Sequence, residues 1–154
     1  MKRLILWCLV GGGSLGLAGC GGGGGDPAVT TAVGSPLDVG PRAAESPVDE
    51  VLAEKGESLF KSKTCSTCHA FGARVTGPDL VGVTRRRTAA WMEQQILHPE
   101  VMTKEDPISR QLLGQYAVQM PNLMIKPEEA KALIEYIKEE DRERAAKSAS
   151  ATTP

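Results

Sequence analysis

The chain has 154 residues, enough for one small domain and its terminal segments. Its formal net charge is −1, so it has no basic field of the kind that nucleic-acid-binding proteins use. Only 4% of its residues are aromatic, and a small domain has little interior volume for its surface. The composition therefore excludes a nucleic-acid-binding protein and favours a domain whose core is completed by an apolar prosthetic group.

Residues 1–19 have the pattern of an export signal. Lys2 and Arg3 precede an apolar run from Leu4 to Val10, after which glycines interrupt the sequence. The run is shorter than the roughly 20 apolar residues of a transmembrane helix, and a short apolar segment behind positive charges is typical of a signal peptide. The closing letters, LAGC, resemble the bacterial lipobox, which implies cleavage before Cys20 and lipid on Cys20. The alternative is an uncleaved anchor helix. Both interpretations predict an exported, membrane-tethered domain that faces the periplasm or the cell exterior.

Residues 20–46 are rich in glycine, proline and small side chains and show neither helical nor strand periodicity. This composition predicts a lipidated cysteine followed by a flexible tether. Cys8 falls in the signal, so Cys65 and Cys68 are the thiols left for the folded domain. Because exported thiols tend to pair as disulfides, these two need a specific role.

We expect the folded domain at residues 47–144 and a disordered tail at 145–154. Ser46 and Pro47 are suited to the start of a first helix, whose apolar stripe extends to Phe60. Three further helices are predicted downstream, and the last has the clearest helical spacing of apolar residues: Ala130, Leu133, Ile134 and Ile137. The middle two are RTAAWMEQQIL, which Thr88 can cap and Pro99 can end, and the short segment DPISRQLLGQY. No segment has a convincing strand pattern, which predicts an all-α fold.

The letters CSTCH at residues 65–69 admit three chemistries. A structural zinc site needs four ligands, but the chain has no second cysteine pair and its one other histidine is His98. A redox-active dithiol is expected between a strand and a helix, and no such strand is predicted. The pattern C-x-x-C-H is typical of covalent c-type haem attachment. It predicts one haem c, with thioether bonds from Cys65 and Cys68 and with His69 as the proximal iron ligand.

From about residue 48 to residue 137 the sequence resembles the class I monohaem c-type cytochromes. Gly56 and Phe60 stand before the haem motif as they do in the N-terminal helix of that family, and Tyr136 stands in the last helix as their crossing partner. A glycine inside a helix costs about 1 kcal/mol against alanine, which a close helix crossing would explain. The resemblance implies a class I cytochrome c fold of three to five helices around one covalently bound haem.

The TGPDL segment, residues 76–80, matches the loop that follows the haem motif in this family. The resemblance implies that the Pro78 carbonyl accepts a hydrogen bond from the His69 imidazole, which would fix the orientation and tautomer of the ring.

Five side chains are candidates for the distal iron ligand: Met92, Met102, Met120, Met124 and His98. Met120 precedes a proline just before the last helix, and in the resembled family the distal methionine has this position. Met124 lies in the same loop and is the alternative. We expect Met92 to pack in the core, Met102 to lie in a charged loop and His98 to lie at a helix end.

Ligation by methionine and histidine would raise the reduction potential and fill both axial positions, which leaves one-electron transfer as the chemistry. The sequence thus predicts an electron carrier of a respiratory chain rather than an enzyme. The alternatives are a peroxidase-like haem enzyme and a gas-binding sensor, both of which need an open distal site. The segments RTAAW…ILHP and MPNL resemble those of the cytochrome c domains found with copper-containing terminal oxidases and similar respiratory reductases. This resemblance implies redox partners such as a terminal oxidase, a nitrous oxide reductase or a quinol-oxidising complex. The basic run Arg85–Arg87 is either a solvated face or a contact for a haem propionate or an acidic partner.

Overall fold

The structure is a computed structural model that describes residues 34–151, so the predicted signal and Cys20 lie outside the described residues. The described residues form six α-helices and no β-strand, which confirms the all-α prediction. The helices are α1 (Glu50–Ser62), α2 (Val83–Arg86), α3 (Ala89–Leu97), α4 (Pro99–Glu105), α5 (Pro107–Tyr116) and α6 (Pro127–Ala151). Three short 3-10 helices cover Pro36–Asp38, Ala43–Glu45 and Cys65–Thr67. The number of α-helices exceeds the predicted three to five because the sequence does not predict the one-turn α2 and the seven-residue α4.

The N-terminal and C-terminal helices α1 and α6 cross at Gly56. A Cβ atom at this position would lie 2.7 Å from the carbonyl carbon of Ala132 and 2.8 Å from the Cβ of Tyr136, both in α6. Phe60 of α1 continues the contact, with its ring 5.4 Å from the ring of Tyr136. Glycine is therefore required at the crossing, as the sequence predicted. Burial raises the pKa of Tyr136 to about 12, so its phenol stays neutral in this packing.

The first helix begins later than predicted. Its N-cap is Asp49, whose carboxylate accepts a hydrogen bond from the backbone N–H of Leu52 at 3.0 Å, so Ser46 and Pro47 precede the helix. The prediction for α3 was right, because the Thr88 hydroxyl accepts from the Trp91 N–H at 3.1 Å. An aspartate has the same role in α5, where Asp106 accepts from two backbone N–H groups of the first turn.

The packed domain also begins earlier than residue 47. Residues 34–46, which we call the N-terminal strap, contain two 3-10 helices and bury Ser35 and Ala43 to 3% exposure each. The prediction of a flexible tether up to residue 46 is therefore wrong for this part. Its glycine and proline content indicates irregular backbone, and irregular backbone can still be fixed when distant residues supply its hydrogen bonds.

Asp38 is the main anchor of the N-terminal strap. Its carboxylate accepts from the Thr88 N–H at 2.7 Å, from Arg42 at 2.9 Å and from Arg87 at 3.2 Å. The Thr88 hydroxyl donates back to the Leu37 carbonyl at 2.7 Å. The strap is thus bonded to the junction between α2 and α3, about fifty residues away along the chain.

A buried carboxylate of α6 fixes the start of α2. The N-cap residue of α2, Gly82, has no side chain to cap the helix and adopts φ 71°. Asp141, which is 4% exposed, instead accepts from the Gly82 N–H and from both the N–H and the hydroxyl of Thr84. The last helix therefore caps a helix that lies almost sixty residues earlier.

The last helix does not end at residue 144. It continues to Ala151 through residues that we predicted as a disordered tail. Ion pairs at i, i+4 follow its exposed face, Arg144 with Glu140 and Lys147 with Glu143, each at 3.1 Å. No helix between residues 34 and 151 is long and apolar enough to cross a membrane.

Candidate functional site

A largely apolar cavity of about 490 Å³ lies inside the helical domain. Its wall includes side chains from α1, α3, α5 and α6 and from the two loops that follow the cysteine motif and α5. Five of the predicted site residues line it together: Cys65, Cys68, His69, Pro78 and Met120. The structure therefore brings the predicted proximal and distal residues to one cavity.

The local backbone at the cysteine motif places both thiols and the imidazole on one wall. Thr64 turns the chain with φ 59°, and a single 3-10 turn over Cys65–Thr67 follows. The carbonyl of Cys65 accepts from the N–H groups of both Cys68 and His69, at 3.1 and 3.0 Å. Burial raises the pKa of the Cys65 thiol, so it is a neutral thiol in the absence of a bond to another group.

His69 has the environment of a neutral imidazole with one nitrogen free. Its Nδ1 lies 2.9 Å from the Pro78 carbonyl, which can only accept, so Nδ1 carries the proton and Nε2 keeps its lone pair. Burial lowers the pKa of His69, against the opposing effect of this hydrogen bond. Gly77 lets the loop pass over the ring, since a Cβ there would lie 2.8 Å from His69 Cε1. The hydrogen bond therefore fixes the orientation of the imidazole and leaves Nε2 as the nitrogen that could bind a metal.

The candidates for the distal position are separated by their exposure. Met120 is half-buried on the cavity wall, whereas Met124 is 79% exposed and lies outside the cavity, on backbone with φ 54°. Met92, in α3, also borders the cavity, but it is buried in the hydrophobic core of the domain. Met102 is buried in α4, not in a loop as we predicted, and exposed His98 ends α3 as expected.

Two of the three arginines of the basic run reach the cavity. Arg86 and Arg87 line it, whereas Arg85 does not. Arg87 lies over the Trp91 ring, 5.3 Å from its centroid, and also bonds to Asp38 of the N-terminal strap. The arginine side of the cavity is thus held in place by the strap.

The cavity wall near Met120, which we call the distal wall, also contains polar side chains that the sequence did not predict. Gln95 of α3 and Ser109 of α5 both border the cavity, and the Ser109 hydroxyl donates to Gln95 at 2.5 Å. The one signal for Gln95 was its spacing of four residues from Trp91, which places both on the inward face of α3. Nothing in the local sequence marks Ser109, because its role depends on the packing of α5 against α3.

The residues present fit a c-type haem. Two thiols and a neutral imidazole with a free Nε2 border a mostly apolar cavity, and the Met120 thioether borders the same cavity. Between residues 34 and 151, no cluster of three or more His, Cys, Asp or Glu side chains could hold a metal ion. The combination of an all-α fold, a C-x-x-C-H motif and such a cavity is characteristic of the class I monohaem c-type cytochromes.

The sequence profile of the Cytochrome c family matches residues 53–140, and the chain belongs to this family. Two curated relatives are both named cytochrome c-551. The protein of Stutzerimonas stutzeri is 31% identical over 86 residues, which are 56% of this chain and 77% of that protein. The protein of Ectopseudomonas mendocina is 33% identical over 82 residues, which are 53% of this chain and 93% of that protein. Proteins of this family carry one covalently attached haem c, and this is the cofactor of the chain.

Solved structures have the same fold. Cytochrome c from Rhodothermus marinus is 32% identical and superposes with a TM-score of 0.60 over 66% of this chain and 95% of that chain. An engineered form of that cytochrome, bound to a carbene intermediate, is also 32% identical, with a TM-score of 0.57 over 65% of this chain and 95% of that chain. These similarities cover the helical domain and extend to nearly the full length of each solved protein.

Proposed function

We propose that this cytochrome carries single electrons with its iron held between His69 and Met120. The observation that carries the proposal is that Met120 shares a cavity with His69, whereas Met124 faces solvent at 79% exposure. Bound haem c supplies a one-electron ferric–ferrous couple. The roles of the chain are then to anchor the group through Cys65 and Cys68, to orient the His69 ring through Pro78, and to exclude water from the cavity.

Two filled axial positions are the reason to propose a carrier rather than an enzyme. When histidine and methionine occupy both sides of the iron, no position is left for a substrate or a gas, and the reduction potential is higher than with two histidines. The peroxidase-like and sensor alternatives require a distal position that Met120 does not fill. The carbene intermediate of the engineered Rhodothermus marinus protein makes this alternative worth a direct test.

Arg86 and Arg87 are our candidates for the haem propionates. Both border the cavity, and an arginine fork suits a carboxylate in a bidentate geometry. Arg87 is also fixed between Trp91 and Asp38, so little side-chain entropy would be lost when it binds an anion.

We expect the oxidised haem-loaded protein to show the weak long-wavelength sulfur-to-iron absorption band. Met120→Ala should abolish this band and lower the reduction potential, because the thioether that favours ferrous iron is removed. Met124→Ala is the matched control and should keep both the band and the potential. Optical spectra of both oxidation states and a redox titration are the measurements.

The opposite pattern, with the band lost only in Met124→Ala, would transfer the distal role to Met124. Covalent haem without the band in the parent protein would reject the methionine ligand. It would favour an open or bis-histidine site and hence the enzyme or sensor alternatives.

We further propose that the protein is an exported lipoprotein, anchored through Cys20 and working on the periplasmic side of a membrane. Its support is the LAGC sequence after a short apolar signal. A tether raises the effective concentration of the domain near partners in the same membrane. Candidate partners in a respiratory chain are a terminal oxidase, a nitrous oxide reductase and a quinol-oxidising complex.

Lipidation has its own test. Cys20→Ala should prevent acylation and release the cytochrome from the membrane fraction, because a lipobox without its cysteine offers no thiol to modify. Cys8→Ala, which changes a cysteine inside the predicted signal, is the matched control and should leave acylation intact. Mass spectrometry of the mature N-terminus shows whether each variant is acylated. An unmodified N-terminus in the parent protein would reject the lipoprotein assignment.

A further inference from the structure

A short hydrogen-bonded chain of side chains leads from α5 to the sulfur of Met120. The Ser109 hydroxyl donates to Oε1 of Gln95, and Nε2 of Gln95 lies 4.0 Å from Met120 Sδ. Ser109 is 2% exposed, and all three side chains border the cavity. Gln95 thus lies between a buried hydroxyl and the thioether.

The surroundings fix which end of the Gln95 amide faces the sulfur. An amide can be turned over to exchange its oxygen and nitrogen, and hydrogen bonding decides the orientation. With Oε1 toward Ser109, the hydroxyl has an acceptor and an N–H group points at a weak sulfur acceptor. The reversed amide could still donate to the Ser109 hydroxyl, which can also accept, but it would place its carbonyl oxygen against the sulfur lone pairs. The contact therefore presents a donor to Met120.

Another polar side chain that lines the cavity, Thr103, does not compete for this contact. Its hydroxyl lies 3.0 Å from the Pro99 carbonyl, within its own helix. Of these three polar side chains, Gln95 is the one whose donor is directed at the thioether.

We propose that Gln95 is a positioning residue for the distal ligand and that Ser109 sets its orientation. This inference rests on the proposed function, since it requires Met120 to bind iron. A hydrogen bond to the sulfur withdraws electron density from the lone pair that the iron uses, and the effect is larger for ferric than for ferrous iron. Gln95 therefore raises the reduction potential. It also holds the sulfur in one orientation and so slows its displacement by an external ligand.

The test compares the haem-loaded variants Gln95→Leu and Gln94→Leu. Leucine at 95 is of similar size but has no N–H donor, so the potential should fall and imidazole should displace Met120 several-fold faster. Gln94 is the preceding residue of α3 and does not border the cavity, so Gln94→Leu should change neither quantity. The sulfur-to-iron band should persist in Gln95→Leu but shift in position.

A double-mutant cycle separates positioning from packing. Ser109→Ala frees the amide to turn over and should lower the potential in the parent protein, yet have no further effect in the Gln95→Leu background. An effect of Ser109→Ala that persists in that background would mean that Ser109 acts by packing, and the proposed chain would be wrong. Ser109→Ala also keeps the inference testable if Gln95→Leu fails to bind haem.

Failure of the inference and failure of the proposed function give different results. If Met120→Ala abolishes the band but Gln95→Leu leaves the potential and the imidazole rate unchanged, the ligand assignment stands and the role of Gln95 is rejected. If Met120→Ala keeps the band, the ligand assignment falls, and the role of Gln95 falls with it.

Discussion

Gly56→Ala is expected to lower the free energy of unfolding of the haem-loaded protein by about 2 kcal/mol or more, because the clash cost at the upper end of the usual range outweighs the gain in helix propensity. The new Cβ would be placed against the Ala132 carbonyl and 2.8 Å from Tyr136 Cβ. The Ala132 carbonyl is backbone within α6 and cannot rotate away, so α1 and α6 must separate. Overpacking of a fixed interface typically costs about 1–3 kcal/mol and sometimes more, which exceeds the gain of about 1 kcal/mol in helix propensity. Denaturant unfolding followed by haem absorbance measures the change.

Gly114→Ala is the matched control, because Gly114 lies in α5 and a Cβ there would have no neighbour within 4 Å. This substitution should raise the free energy of unfolding by about 0.4–1 kcal/mol, since it restricts the unfolded chain without a clash. The two variants make the same chemical change, but the free energy of unfolding is expected to fall in one and to rise in the other. Stabilisation by Gly56→Ala would show that the helix crossing is looser than the structure has it.

Asp141→Ala is expected to cost about 3 kcal/mol of unfolding free energy and to loosen the residues that begin α2. The substitution removes the acceptor of the Gly82 N–H and of the Thr84 hydroxyl, both buried. Each buried donor that loses its partner costs about 1–3 kcal/mol, and the short helix that carries Arg86 would lose its cap. Unfolding in denaturant and amide hydrogen exchange at residues 82–87 are the measurements.

Asp141→Asn refines this test, because asparagine keeps the shape and one acceptor oxygen but loses the charge, so it should cost less than alanine. Glu143→Gln, two residues along α6, is the control. Glu143 pairs with Lys147 at the surface, where an ion pair contributes about 0–1 kcal/mol. Equal losses for the Asp141 and Glu143 variants would show that α6 charge, rather than the cap of α2, stabilises the protein.

Local patterns were sufficient to predict the haem-binding side of the domain. The letters CSTCH carry their chemistry within a few residues. The hydrogen bond from His69 to the Pro78 carbonyl was implied by the family resemblance of the TGPDL segment, and the structure places the two groups at hydrogen-bonding distance. The crossing at Gly56 was also predictable, because a glycine inside a helix is unfavourable unless another backbone approaches closely. For the CSTCH motif and for Gly56, the residue types alone indicate the structural requirement.

The features that the sequence did not predict depend on contacts between distant segments. Asp38 looks like an ordinary loop acid until Thr88 and Arg87 are placed beside it. The helix α2 has too few residues to show periodicity, and its cap comes from Asp141 rather than from a neighbouring residue. The helical spacing of Gln95 indicated which face of α3 it occupies but not its partner, because only the fold brings Met120 close to it.

If Cys20 carries the proposed lipid anchor, the N-terminal strap limits how far the cytochrome can rise above a bilayer. With lipid on Cys20 and the chain fixed from Ser35 onward, 15 residues join the membrane to the domain, instead of the 27 of a tether that ends at residue 46. A fully extended chain spans roughly 3.4 Å per residue, which gives a greatest height of about 50 Å rather than about 90 Å. The volume within reach then shrinks roughly six-fold, and the encounter frequency with a partner of matching height rises by a similar factor. Large membrane complexes whose electron-entry site stands higher than this above the bilayer would be out of reach.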